Sequence, residues 1–328
     1  MHIMKKGLGL LCVTAITMVS VLPVAGAQEI PARKQMRIIV PYSAGGTSDI
    51  LGRKLAEELG NRLNRTVIVE NRAGAGGAIG TDATVRSDKD GTTILLHSGA
   101  IATEPALKSN LPYDVNKDLT IVTTAVEGPF AVLVSKNIPV SNVKELIEYA
   151  RANPDKMHYG TPGIGTSVHL SSELLGIQGK MPLVHVPYKG ANAALTGLMG
   201  DEIQVVIDPL ATAKRYSEDG RVKALAITSA QPSALWPGMP TVAESGVPDY
   251  NAVVWYGIYV PAGTPEAITD RLNKEFVDIL HSDNMKIWLT SQGLEPVANS
   301  ATEAKTYLKN DIERWKSVVE TAGIEKLQ

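Results

Sequence analysis

Arg37-Ile-Ile-Val-Pro-Tyr-Ser-Ala-Gly-Gly-Thr-Ser-Asp49 is the stretch whose reading decides the fold. Ile38 to Val40 is a short apolar run that reads as a buried strand; Pro41 ends it, and Ser43-Ala44-Gly45-Gly46 makes a small-residue turn. Ile50, Leu51, Leu55, Leu59 and Leu63 then recur at helical spacing. The segment is therefore a strand, a glycine turn and a helix. The first turn of a helix carries backbone N–H groups without intrahelical partners, at the positive end of the helix dipole, and glycine lets an anion approach them. No lysine follows the turn as it does in a P-loop, which argues against a triphosphate. Taken alone, the segment is as readily an ordinary βα turn. It gains weight because the design recurs: Lys156-Met-His-Tyr-Gly160 reads as a strand, and Thr161-Pro-Gly-Ile-Gly-Thr-Ser-Val-His169 leads from it into a helix.

Between these two units, residues 66–70 read as a strand running into the glycine-rich turn 74–80, and residues 93–97 as a third strand ending in Ser98-Gly99-Ala100. The glycines space as GxGxxxG rather than GxGxxG, a poor signal for a dinucleotide. Strands alternating with helices indicate a parallel sheet, and ligands on such sheets sit beyond the carboxyl ends of the strands. The turn at 44–48, the turn at 74–80 and residues 98–103 all fall at that end, which brings in Ser98, Ala100 and Thr103.

Residues 119–126 and 130–134 form a β-rich run interrupted by Gly128-Pro129, read as a first crossing between domains; 252–260, with Trp255-Tyr-Gly257, reads as the return. Ser141 is expected to cap one helix. Thr264-Pro265-Glu266 is expected to open another with Pro at its first position, and Ser300 with Glu303 to form a capping box before a last helix stopped by Gly323. Packing the terminal helices back on the first domain gives a discontinuous domain 1 (28–127 with 256–328) and a continuous domain 2 (128–255), able to close over a ligand like a hinge.

Residues 1–27 have the layout of a secretory leader: Lys5 and Lys6, an apolar core at 8–21 shorter than a membrane span, and Ala25-Gly26-Ala27 as a cleavage site. The only cysteine, Cys12, falls inside the leader, so the mature chain is expected to contain no disulfide, thiolate nucleophile or cysteine metal site. The net charge is −2, and −4 once the two leader lysines are gone, which argues against nucleic acid and against anionic membrane as partners.

Two helix N-termini, one per lobe, could hold the two ends of an organic anion. Each N–H to carboxylate hydrogen bond is charge-assisted and worth ~1.5–3 kcal/mol net, so no arginine is required, and Arg53 and Arg72 read as surface or structural. His169, in the first turn after Ser167, either donates to a carboxylate or packs the helix. His97 ends an apolar strand and reads as a core residue. Asp208, before Pro209, either receives a ligand amine or holds a loop. Tyr42, Tyr188 and Trp255 could wall the cleft. The six histidines show no HExxH or i,i+4 pair, which leaves no zinc motif, and no serine sits in a GxSxG elbow.

These motifs resemble, in order and over nearly all of the mature sequence, the tripartite tricarboxylate transporter substrate-binding proteins, the Bug family of periplasmic receptors. The resemblance rests on the two glycine turns quoted, on residues 70–80, and on Val186-Pro-Tyr-Lys-Gly190, Pro240-Thr-Val-Ala-Glu-Ser-Gly246 and Trp255-Tyr-Gly257. It implies an α/β, two-lobed, Venus-flytrap (type II-like) fold, each lobe a mixed, mostly parallel sheet flanked by helices. It implies a monomer without enzymatic activity or cofactor, located in the periplasm, that hands a small carboxylate to a permease of one large and one small membrane subunit. Residue by residue, it implies that Tyr42, Ala44, Gly45, Gly46 and Ser48 hold one carboxylate, and Thr161, Gly165, Thr166, Ser167 and His169 the other end. The family commonly has Phe-Pro where this chain has Tyr42-Ser43. A secreted hydrolase or cofactor enzyme using the glycine loops is the competing reading, and a receptor of the same fold with a sensory partner in place of the permease is a third.

Overall fold

The computed structural model describes residues 30–31, 34–188 and 190–326; the leader, its cleavage site, Cys12 and Lys189 lie outside them. The first half of the chain runs β1 (Met36–Val40), α1 (Thr47–Leu63), β2 (Val67–Asn71), α2 (Ala78–Val85), β3 (Thr93–Ser98), α3 (Ala100–Leu107), α4 (Val115–Asp118) and a long β4 (Leu119–Val134). There follow α5 (Val143–Ala152), β5 (His158–Thr161), α6 (Ser167–Gly179), β6 (Val184–Pro187), α7 (Ala191–Met199), β7 (Val205–Pro209), α8 (Leu210–Glu218) and β8 (Lys223–Ile227). The chain closes with β9 (Val253–Pro261), α9 (Glu266–Leu280), α10 (Asp283–Ser291), β10 (Glu295–Pro296) and α11 (Ala301–Thr321).

The strands are ordered β2-β1-β3-β9-β4-β7-β5-β6, with β8 and β10 also against β4. Parallel ladders join β1 to β2 and β3, and β5 to β6 and β7; every pairing made by β4 or β9 is antiparallel. The fold is two-lobed, and β4 belongs to both halves: residues 119–129 pair with β9, and residues 130–134 with β7. Gly128 and Pro129 do not interrupt it as the sequence suggested. Pro129 sits at the last rung with β9, where the ladder changes partner, so its missing N–H breaks little.

Alternation places the cores. Ile38 and Val40 point into one cluster with Leu51, Leu55 and Leu59 of α1 and Phe276 of α9, while Ile39 points into another. Each of those α1 leucines is fully buried, worth roughly 1.5–3 kcal/mol apiece. Ile50, expected on the same stripe, is exposed, because it lies one residue off the buried face. In the same way Val132 and Val134 join the core that runs through both halves, and Ala131 and Leu133 a third cluster with α7 and β7.

The Ser300–Glu303 capping box forms, and Gly323 follows α11 in the left-handed region. Two caps differ from expectation. Asn142, not Ser141, caps α5 by accepting from Glu145 N. Pro265 precedes α9 rather than opening it, and the Thr264 hydroxyl donates to the Pro261 carbonyl instead of capping. The sequence reading passed over α3, because Pro105 lies inside it and it is buried on nearly all sides, so it has no polar face to reveal a period.

Candidate functional site

The parallel ladder sets Tyr42, just past β1, beside Ser98 at the end of β3. Their hydroxyls lie 2.7 Å apart. His97 Nδ1 is 2.7 Å from the Ser98 carbonyl, which can only accept, so Nδ1 carries the proton. Nε2 is then bare and buried without a partner among the described residues, and a Cβ on Gly77 would sit 2.9 Å from it. Burial holds His97 below its ordinary value, and it stays a neutral prop beneath Tyr42.

Tyr42 and Ser98 belong to one wall of a cleft of about 290 Å³, with His97 behind them. Lobe one supplies Tyr42, Ser48, Ser98, Gly99, Ala100 and Thr103; the second glycine turn supplies Gly165, Thr166 and Ser167; Val253 to Tyr256 and Trp315 complete it. Among the described residues, no acid, lysine, arginine or histidine lines it. The Tyr256 phenol is raised by burial and faces the Thr47 and Ser48 hydroxyls. Trp255 donates its indole N–H to Asp311 of α11 at 2.9 Å, and Asp311 also pairs with Arg314. Gly99 packs against that indole so closely that a Cβ would lie 2.5 Å from Nε1.

The two helix N-termini are built differently. At α1, Asp49 turns back on its own loop: Oδ2 accepts from Gly45 N–H at 2.9 Å and from Arg53 Nε at 3.1 Å. That backbone donor outweighs burial, which raises it, and with Arg53 holds the Asp49 carboxyl below its ordinary value. The Gly45 N–H is thus already committed, and Ala44, Gly45 and Gly46 are exposed outside the cleft lining. Ser48 is what this turn presents to the cleft. At α6, Thr166 is the N-cap: its Oγ1 accepts from His169 N at 3.2 Å and donates to Gly163 O at 2.8 Å. Gly165 has φ of 78°, which favours glycine at the turn that offers Thr166 and Ser167 to the cleft.

Of the residues singled out from sequence, the cleft thus collects Tyr42, Ser48, Ser98, Ala100, Thr103, Gly165, Thr166, Ser167 and Trp255. Thr161 and His169 lie buried behind the second turn. Tyr188 packs over Gly197, with its hydroxyl 3.4 Å from Glu202. Asp208 is buried in β7 opposite Ala131, with Oδ2 unpartnered among the described residues, and burial pushes its carboxyl up to about 7. The turn at 74–80 is tied down from behind by Lys108, which donates to Ala75 O and pairs with Glu104. Sequence reasoning missed Gly99, Val253, Val254, Tyr256 and Trp315. Gly99 lies inside the 98–103 stretch that the sequence placed at the ligand end, without being singled out there; Trp315 carries no local signal, since only the packing of α11 brings it to the cleft.

A family profile described as "Tripartite tricarboxylate transporter family receptor" matches residues 51–324. Protein BugT of Bordetella pertussis is 32% identical over 299 residues, 90% of this chain and 91% of that one. The solved structure described as R. palustris Rpa4515 with adipate is 32% identical, with a TM-score of 0.74 over 90% of this chain and 99% of that one. MatC from Rhodopseudomonas palustris with bound malate is 27% identical, with a TM-score of 0.69 over 88% and 99%.

Proposed function

We propose, for a chain that belongs to the tripartite tricarboxylate transporter receptor family, that it captures a small organic acid between its lobes in the periplasm and delivers it to a permease of one large and one small membrane subunit. The lobes would be residues 28–127 with 256–328, and 128–255, moving about β4 and β9 as hinges after removal of the leader. The observation that carries this reading is a cleft between two helix N-termini, lined by hydroxyls and aromatic rings and, among the described residues, by no acid, lysine, arginine or histidine. Such a lining recognises an anion through hydrogen-bond donors without placing a counter-charge beside it. Ser48, Ser98 and Tyr42 would meet one carboxylate, and Thr166 and Ser167 the other, across an apolar middle formed by Trp255 and Val253. Relatives solved with adipate and malate support a carboxylate ligand. The protein would act as a monomeric carrier, not a catalyst.

The test is a melting-temperature screen of aliphatic dicarboxylates, aromatic carboxylates, amino acids and nicotinate-like acids, with amines and sugars as controls. A true ligand at a hundredfold excess over Kd stabilises the fold by about 2.7 kcal/mol. Stabilisation by amines or sugars and by none of the acids would refute the reading.

A further inference from the structure

Behind the second glycine turn lies a stack of rings that the ligand-binding reading does not use. His169 of α6 stacks on His185 of β6 with centroids 4.1 Å apart, and His185 stacks on Tyr159 of β5 at 4.9 Å. His169 is buried. Its Nδ1 is 3.1 Å from the Gly165 backbone nitrogen, placed to receive its proton. A backbone N–H only donates, so Nδ1 must carry a lone pair, and the ring proton of a neutral His169 sits on Nε2, which faces Glu173 Oε1 at 3.6 Å. Gly165, whose amide is held in this way, lines the cleft with Thr166 and Ser167.

We propose that His169 is a positioning residue: as a neutral imidazole it holds the Gly165 amide back and so sets the lobe-two turn in its ligand-receiving shape, and it releases that turn when protonated. A proton on Nδ1 would point at the Gly165 N–H, and the two donors cannot share the space. The turn has nothing else to hold that amide among the described residues, so it must shift. The groups facing His169 set how this proceeds. Glu173 on its own helix favours the charge. His185, stacked on it from β6, opposes a second charge and is itself bonded at Nε2 to the Thr161 hydroxyl, 2.7 Å away. Tyr159 from β5 gives its hydroxyl to Glu173. Burial lowers His185 first; of the charges acting on it, that of His169 lowers it further and that of Glu173 raises it. The outcome is a receptor that binds at neutral pH and loosens its grip in acid.

The inference rests on the cleft being a carboxylate site, but its first test needs no ligand. Nitrogen-detected NMR of the ring should show His169 in the Nε2–H form at neutral pH. On acidification the Gly165 amide should move and exchange faster, with the same midpoint as the His169 ring. A Gly165 amide indifferent to that titration would overturn the proposal. The second test uses substitutions and an acid found by the screen. In His169→Asn the side-chain oxygen takes the place of Nδ1 and never titrates, so it should keep affinity within about twofold at neutral pH and lose the acid dependence. His169→Leu, with an unchanged circular dichroism spectrum, should bind roughly fivefold or more weakly at every pH, the loss of about one hydrogen bond. Retention of the full acid effect in His169→Asn, or wild-type affinity in His169→Leu, would overturn it. If no acid binds the wild type, the cleft reading fails while the NMR result still decides the positioning role.

Discussion

Replacing Asp208 by asparagine should stabilise the protein at alkaline pH and make little difference in acid. The side chain is 2% exposed, sits opposite Ala131 in the ladder, and has an oxygen without a partner among the described residues. Burial alone lifts its carboxyl from 3.8 to about 7. The folded chain therefore holds the proton where the unfolded chain has lost it. The stability associated with the group is fully present below pH 3.8, declines as pH rises, and is gone once pH passes about 7. Fully realised, that gap amounts to roughly 4 kcal/mol at 1.36 kcal/mol per pH unit. Asparagine keeps the shape and carries no charge. Urea denaturation of both proteins at several pH values from 4 to 8 should show the variant gaining on the wild type by up to that amount and levelling off above neutrality. A difference that stays constant across the range, or that favours the wild type at pH 8, would refute the argument that an unpaired buried carboxylate strains this strand.

Other substitutions address the walls of the cleft. Gly99→Ala would drive a methyl to within 2.5 Å of the Trp255 indole nitrogen, which Asp311 holds in place, so it should cost about 1–3 kcal/mol of stability and weaken ligand binding; denaturation and titration check both. Asp49→Ala frees the Gly45 N–H at the head of α1 and should cost about 1 kcal/mol in denaturant melts, since an acidic group there satisfies an orphan donor and complements the helix dipole. His185 has its pKa lowered from 6.5 to about 4, by burial first and by His169 second. The unfolded chain takes up that proton first, so stability should fall as pH drops from about 6.5 towards 4 and flatten below, and His185→Gln should flatten the wild-type slope in that window.

What could be read from sequence was local. Ile38 to Val40, the glycine turn and the α1 leucines sit within one short stretch, and their periodicities survive into the structure because each repeats the spacing of its element. The second copy at 159–169 was legible for the same reason, and two copies in order suggested two lobes. What escaped depends on contacts distant in sequence. Trp315 reaches the cleft only because α11 folds back over α3 and β4. The turn of Asp49 back onto the Gly45 N–H needs the loop's backbone geometry, which composition does not carry. His169 showed itself as a histidine in a first helical turn, but the direction of its Nδ1, towards Gly165 and not towards a ligand, is a matter of one rotamer. Gly128-Pro129 looked like a break because proline disfavours strands, while the ladder changes partner at that very place.

The proposed function turns on a negatively charged guest held between the two lobes. Its most direct test is a crystal structure of the protein with the acid that stabilises it best. The acid's carboxylates should lie against Ser48, Ser98 and Tyr42 on one side and Thr166 and Ser167 on the other, with the Trp255 wall along its middle. A guest lodged away from both helix N-termini, or one that proves to be a cation, would contradict it.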